Sequence, residues 1–156
     1  MGNGYSKNAT AELANHIYKT SKMGAQSISD VLPKIQSNSS REKEKFISEL
    51  TDEFSEYEKI NAKAAHMLNE MSVRPEEENF MAKMSAKAGI ALNTMNDPGI
   101  SHVAEMMIQG LSMGVTDTTR RVRKASEDKC DPEALRLGDE FISFQERSVD
   151  AMKKYL

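Results

Sequence analysis

The chain has 156 residues, of which 38% are hydrophobic and 29% charged, and its formal net charge at pH 7 is -3. This composition is typical of one folded domain with its own core and argues against a disordered chain. So small a net charge favours neither nucleic acid nor an anionic membrane as a partner, and no apolar run is long enough to span a bilayer. The single cysteine, Cys130, excludes an internal disulfide and indicates a reducing, cytoplasmic location.

The first predicted helix covers about residues 6–32, where apolar or small side chains recur every three or four positions. Ser21 and Gly24 make the middle of this face small. They permit the close approach of another backbone or leave room for a ligand, and close packing is the simpler interpretation. Pro33 ends the helix or kinks its last turn, because proline cannot donate a backbone hydrogen bond.

The second predicted helix is capped by Ser39 or Ser40 and runs to about Met71. At about 100° per residue, Glu53 points close to the centre of its apolar stripe, and Glu56 lies at the margin. The opposite face is rich in glutamate and lysine, as a solvated face is. The predicted buried stripe consists of Phe46, Leu50, Phe54, Tyr57, Asn61, Ala64, Leu68 and Met71.

A third, shorter helix is predicted from Pro75 to about Met95. Proline at the first helical position, followed by three glutamates, is a strong start signal because acidic groups favour the positive end of a helix. The sequence NDPG then marks a turn, with Asp97 as the cap of the next helix and Pro98 in its first turn.

Residues 100–115, ISHVAEMMIQGLSMGV, form the least charged stretch of the predicted helices, with one carboxylate, one imidazole and no Lys or Arg. A helix that is apolar round most of its circumference is usually buried, so we predict that this fourth helix is the central rod of the fold. A narrow polar stripe interrupts it. The stripe is either a solvated strip or a polar seam against another helix or a second subunit, and it consists of His102, Glu105, Gln109, Ser112 and Thr116.

Asp131 caps a fifth predicted helix that starts with Pro132. No stretch alternates in polarity, so we expect an all-α protein without a sheet, forming a single domain over residues 1–156. Four long helices and a shorter third one predict two helical hairpins joined by a helical crossover. A simple up-and-down array of five helices is the alternative.

This layout, with an inward carboxylate on the second helix, resembles the ferritin-like superfamily. The segment NTMNDPGISHVAEMMIQGLSMG is also similar to a stretch of small bacterial proteins of that fold. Carboxylate members of the superfamily place an inward Glu on each of two helices and a Glu-x-x-His pair on each of the other two. By that resemblance Glu53 matches the glutamate, Glu56 replaces the histidine, and His102 with Glu105 forms a reversed pair.

These four residues are the candidate metal ligands, although the first and last helices offer no inward carboxylate to complete a two-metal site. The eleven methionines suit soft Cu(I) or core packing, and their helical spacing favours the core. An exposed Met106 and Met113 pair would instead indicate a surface for a partner. No phosphate loop, CxxC pair, HExxH or nucleophile elbow occurs.

The sequence therefore predicts a non-enzymatic helical bundle with a structural or protein-interaction role, self-associating as a homo-oligomer, with no cofactor and with neither nucleic acid nor membrane as partner. One alternative is a degenerate metal-binding (iron or manganese) or redox protein that uses the four candidate ligands. Another is a methionine-rich carrier of copper or a small ligand.

Overall fold

The computed structural model describes residues 4–35, 40–75 and 99–156. This part of the chain is helical and contains no strand, which confirms the all-α prediction. Its elements are α1 (Lys7–Val31), a 3-10 turn (Leu32–Lys34), α2 (Arg41–Glu70), α3 (Ile100–Glu127) and α4 (Pro132–Lys153). The predicted crossover helix and the NDP of its following turn lie outside the described residues, so the choice between a crossover and a five-helix array stays a prediction.

The helix ends follow from local capping chemistry. The side chains of Ser6, Ser40 and Asp131 accept hydrogen bonds from backbone N–H groups in the first turns of α1, α2 and α4, at 3.1, 3.2 and 3.0 Å. At the other end of α1, Pro33 turns the chain into the 3-10 element. The caps at Ser40 and Asp131 and the stop at Pro33 confirm the predictions. Helix α3 begins at Ile100 with Gly99 as its N-cap, so the predicted cap at Asp97 is wrong.

The four helices pack as two antiparallel pairs, α1 with α2 and α3 with α4, lying side by side. The start of α1 is tied to the turn between α3 and α4, where the Ser6 backbone N–H donates to the Lys129 carbonyl at 2.8 Å. On the other side, the Tyr155 hydroxyl just after α4 donates to Glu49 near the start of α2 at 2.8 Å. Helix α1 is therefore antiparallel to α3, and α2 to α4, so α2 and α3 run in the same direction.

The most enclosed helix is α1 and not α3. Twelve of the 25 residues of α1 are buried, because it packs against all three other helices, whereas five of the 28 residues of α3 are buried. Within residues 100–115 three side chains are buried and seven are exposed. The prediction of a central rod is therefore wrong. Residues 100–115 carry little charge although many of them are exposed, so their lack of charge does not indicate burial.

The small face of α1 is a packing surface. The ring of Tyr57 on α2 occupies the space that a Cβ atom at Gly24 would need, which confirms close packing there. Tyr57 is in turn held edge-on by Phe144 of α4, with 4.8 Å between ring centroids. These aromatic contacts fix the facing surfaces of α2 and α4, where Glu53 lies. No described helix is both long and apolar enough to cross a membrane.

Candidate functional site

The four predicted ligands lie in different environments. Glu53 is buried and 5% exposed, whereas Glu56, one turn further along α2, lies at the surface with its carboxylate 3.3 Å from the Lys59 ammonium. His102 and Glu105 are exposed on α3. Across the described ranges, no three His, Cys, Asp or Glu side chains gather in a way that could hold a metal ion. Among the described residues, which do not include residues 76–98, the four predicted ligands are therefore not brought together into a metal site.

Glu53 is a buried acid whose carboxyl oxygens make no hydrogen bond of good geometry with the described residues. Burial raises the pKa of Glu53 to about 8. The Ser148 hydroxyl on α4 is near enough to lower it in part without forming a well-aligned hydrogen bond, and the negative charge of Glu49 one turn earlier adds to the rise. The carboxyl group is therefore mostly protonated at neutral pH, which removes the large cost of burying an unpaired charge.

His16 is a buried imidazole that the sequence interpretation missed. Its Nε2 lies 2.9 Å from the Thr118 hydroxyl on α3, and its Nδ1 lies 3.7 Å from the Asp117 carboxylate. Burial lowers the pKa of His16 to about 4, and the positive charge of Arg121 lowers it further, against the raising effect of Asp117. With the proton on Nδ1, Nε2 accepts the hydrogen bond from Thr118. The histidine is thus a neutral link between α1 and α3.

The outward surface of α3 differs from those of the neighbouring helices. Between Met106 and Thr116 no residue is charged, and the Met113 side chain in this stretch is 74% exposed. By contrast, the exposed residues of α4 include Glu133, Arg136, Asp139, Glu140, Glu146 and Arg147. We define the α3 outer face by the exposed residues from Glu105 to Arg120, namely Glu105, Gln109, Gly110, Ser112, Met113, Thr116, Asp117 and Arg120.

The five residues of the polar stripe are all exposed in the described part of the chain. Neither the predicted crossover helix nor a second subunit is part of the described structure, so the choice between a solvated strip and a polar seam stays a prediction. Of the two methionines whose joint exposure would indicate a partner surface, Met113 is exposed and Met106 is partly buried against the core. The middle of the α3 outer face, from Met106 to Thr116, is thus polar but uncharged and includes the long apolar side chain of Met113.

Two glycines one turn apart on α3 have different surroundings, and the described chain does not pack against the outer face at Gly110. A Cβ atom at Gly114 would collide with the buried amide of Gln145 on α4, so this glycine makes room for a neighbour. A Cβ atom at Gly110 would meet no atom within 4 Å. Glycine inside a helix costs about 1 kcal/mol relative to alanine. At Gly110 no contact within the described residues offsets that cost.

No family model matches the chain, and no curated protein or solved structure matches it either. The ferritin-like resemblance therefore stays a prediction, and the functional argument rests on the chemistry of the described surfaces.

Proposed function

We propose that this protein is a non-enzymatic helical bundle that acts by binding another protein through the α3 outer face. The observation that carries the proposal is the eleven-residue stretch from Met106 to Thr116, which is free of charge and yet exposes seven-tenths of the Met113 side chain. At 1.5 Å per residue this stretch is about 16 Å long, which is enough to dock one face of a partner helix.

The composition of this surface is that of an interface centre. The centres of protein interfaces are depleted in charged residues and enriched in methionine, whose flexible thioether adapts to a partner. The same stretch is flanked by exposed charged residues, Glu105 before it and Asp117 and Arg120 after it, as an interface rim is. Gly110 adds a point where a partner backbone can approach closely.

The described cavities offer less to a catalytic function. A groove of about 230 Å³ lies between α1 and α2 and includes Lys22, Phe54, Glu58 and Asn61 in its walls. Neither of the buried groups with strongly shifted pKa values, Glu53 and His16, lines it. The buried acid and the buried imidazole are therefore not placed to act on a ligand in this groove.

A photo-crosslinking amino acid at position 113 tests the proposal in cells that express the full chain. The matched control is the same amino acid at Ser143, which is exposed on the charged outward surface of α4. We expect one discrete crosslinked protein from position 113 and none from position 143. The same crosslink should disappear when Gly110→Arg is added. Equal, diffuse crosslinking from both positions would overturn the proposal.

A second candidate function is metal binding at a degenerate site, favoured by the unpartnered oxygens of Glu53. The donor set fits a metal poorly. The nearest acid, Glu49, already accepts the Tyr155 hydroxyl, and Glu56 is directed to the surface beside Lys59. A lone carboxyl group that is protonated at neutral pH is a weak ligand for iron or manganese.

Elemental analysis of protein purified without chelator distinguishes the two candidates. The interaction proposal predicts no stoichiometric iron, manganese or zinc. A stoichiometric metal in the wild-type protein that is lost in Glu53→Gln, and kept in the surface control Glu56→Gln, would replace the first candidate with the second.

A further inference from the structure

We infer that the partner of the α3 outer face is a second copy of this chain, whose α3 lies antiparallel across the first about a two-fold axis between Ser112 and Met113. This inference rests on the proposed function, since it names the occupant of the same surface. It is carried by the distribution of charged, polar and small residues along that surface.

A two-fold axis at this point reverses the helix, so each residue faces the one equally far beyond the axis on the other copy. Glu105 lies seven positions before Ser112, and Arg120 lies seven positions after Met113. The antiparallel arrangement therefore brings the Glu105 carboxylate of each copy opposite the Arg120 guanidinium of the other. Both residues are exposed, and each interface contains this pair twice.

A polar pair between the two charged pairs also matches. Gln109 lies three positions before Ser112 and faces Thr116, three positions after Met113, so an amide meets a hydroxyl. Gly110 is exposed on the same helix, and a Cβ atom there would meet no atom within 4 Å, so space for the partner helix is open beside this pair.

The absence of charge near the axis has a specific meaning in a two-fold interface. Side chains beside the axis lie close to their own counterparts, so any charged residue there would repel itself. From Met106 to Thr116 there is none. A parallel pairing is disfavoured by the same reasoning, because it would place Glu105 against Glu105 and Arg120 against Arg120.

Charge reversal tests the register. Sedimentation equilibrium of the full chain over a concentration series, at low salt, would measure dimer dissociation for the wild type, Glu105→Arg, Arg120→Glu and the variant carrying both changes. We expect the wild type to dimerise, each single reversal to weaken dimerisation about tenfold or more, and the double reversal to restore it. Glu146→Arg on the exposed surface of α4 is the matched control and should leave the dissociation constant unchanged.

The outcomes separate this inference from the proposed function. A monomeric wild type, or a dimer whose affinity is insensitive to the reversals or is not rescued by the double variant, overturns the inference. If position 113 then crosslinks to a protein of different sequence, the proposed function stands while the self-pairing fails. If neither a dimer nor a specific crosslink appears, both fail. Circular dichroism of each variant checks that the exposed substitutions leave the helices intact.

Discussion

Two of the contacts between the helix pairs contain a buried ionisable group, and the surroundings of the two groups differ. Between α1 and α3, His16 has the Thr118 hydroxyl 2.9 Å from its Nε2. Between α2 and α4, the Glu53 carboxyl oxygens have no hydrogen-bond partner among the described residues. Both groups are mostly neutral at pH 7, since burial raises the pKa of the acid to about 8 and lowers that of the histidine to about 4. One contact is therefore stabilised by a partner, and the other depends on a bound proton.

The largest expected effect is the alkaline loss of stability caused by Glu53. Its pKa is about 8 in the folded protein and 4.5 without burial, so the folded state binds more protons between these values. The free energy of unfolding therefore falls as pH rises from 4.5 to 8, with an upper bound of about 5 kcal/mol. Glu53→Gln removes the titration, so by urea unfolding at pH 9 we expect it to be about 3 kcal/mol more stable than the wild type.

The control for this experiment is Glu56→Gln, which changes a surface carboxylate one turn away. Exposed pairs such as Glu56 with Lys59 contribute little, so its unfolding free energy should stay within about 0.5 kcal/mol of the wild type at each pH. The Glu53→Gln and wild-type curves should converge near pH 4.5. A parallel offset between them at every pH would mean that Glu53 is ionised in the folded protein.

The second effect has the opposite sign and comes from His16. Its pKa is about 4 in the folded protein and 6.5 without burial, so here the unfolded state binds more protons between these values. The contribution of His16 to the free energy of unfolding is fully present above pH 6.5 and is lost as pH falls to 4, with an upper bound of about 3 kcal/mol. His16→Gln should remove this acid loss when urea unfolding is followed from pH 7 to pH 4.

Together the two groups give the wild type a distinctive pH profile. Between pH 4.5 and 6.5 the contributions of the two groups to the free energy of unfolding change in opposite directions. Their sum therefore changes little over this interval. Glu53→Gln should then uncover a rise with pH over this interval, and His16→Gln a fall. Identical slopes in the two variants would show that the contacts do not differ as described.

Local signals in the sequence predicted the local structure. The caps at Ser40 and Asp131 and the stop at Pro33 act through neighbouring residues, so they could be read directly. The inward direction of Glu53 follows from helical geometry, and the structure confirms it.

Contacts between distant segments were not predictable in the same way. His16 and Thr118 are 102 residues apart, and nothing in either local pattern indicates the pairing. The burial of residues 100–115 was predicted wrongly because lack of charge has two causes: a helix face can be uncharged because protein covers it within the fold, or because it forms an outward surface without charge. Sequence periodicity alone does not distinguish them.

The third effect is the loss of the histidine's partner. Thr118→Val keeps the side-chain shape but removes the hydroxyl, which leaves a buried imidazole nitrogen unsatisfied. We expect a loss of about 1 to 3 kcal/mol at pH 7 in urea unfolding. Thr51→Val is the control, because Thr51 is exposed on α2 and its hydroxyl donates only to the Ile47 carbonyl of its own helix. Equal losses in the two variants would show that the hydrogen bond between Thr118 and His16 does not stabilise the protein.

The smallest effect concerns the hydrogen bond between Tyr155, just after α4, and Glu49 on α2. Tyr155→Phe removes the 2.8 Å hydrogen bond to Glu49 but keeps the ring, whose centroid lies 4.8 Å from that of Phe46. Because Tyr155 is partly exposed, water can replace the lost donor, and we expect a loss of about 0.5 to 1 kcal/mol in thermal or urea unfolding. If Tyr155→Phe lost more stability than Thr118→Val, the comparison between the two contacts would be wrong. The contact between α2 and α4 would then depend more on a hydrogen-bonded polar group than the contact between α1 and α3 does.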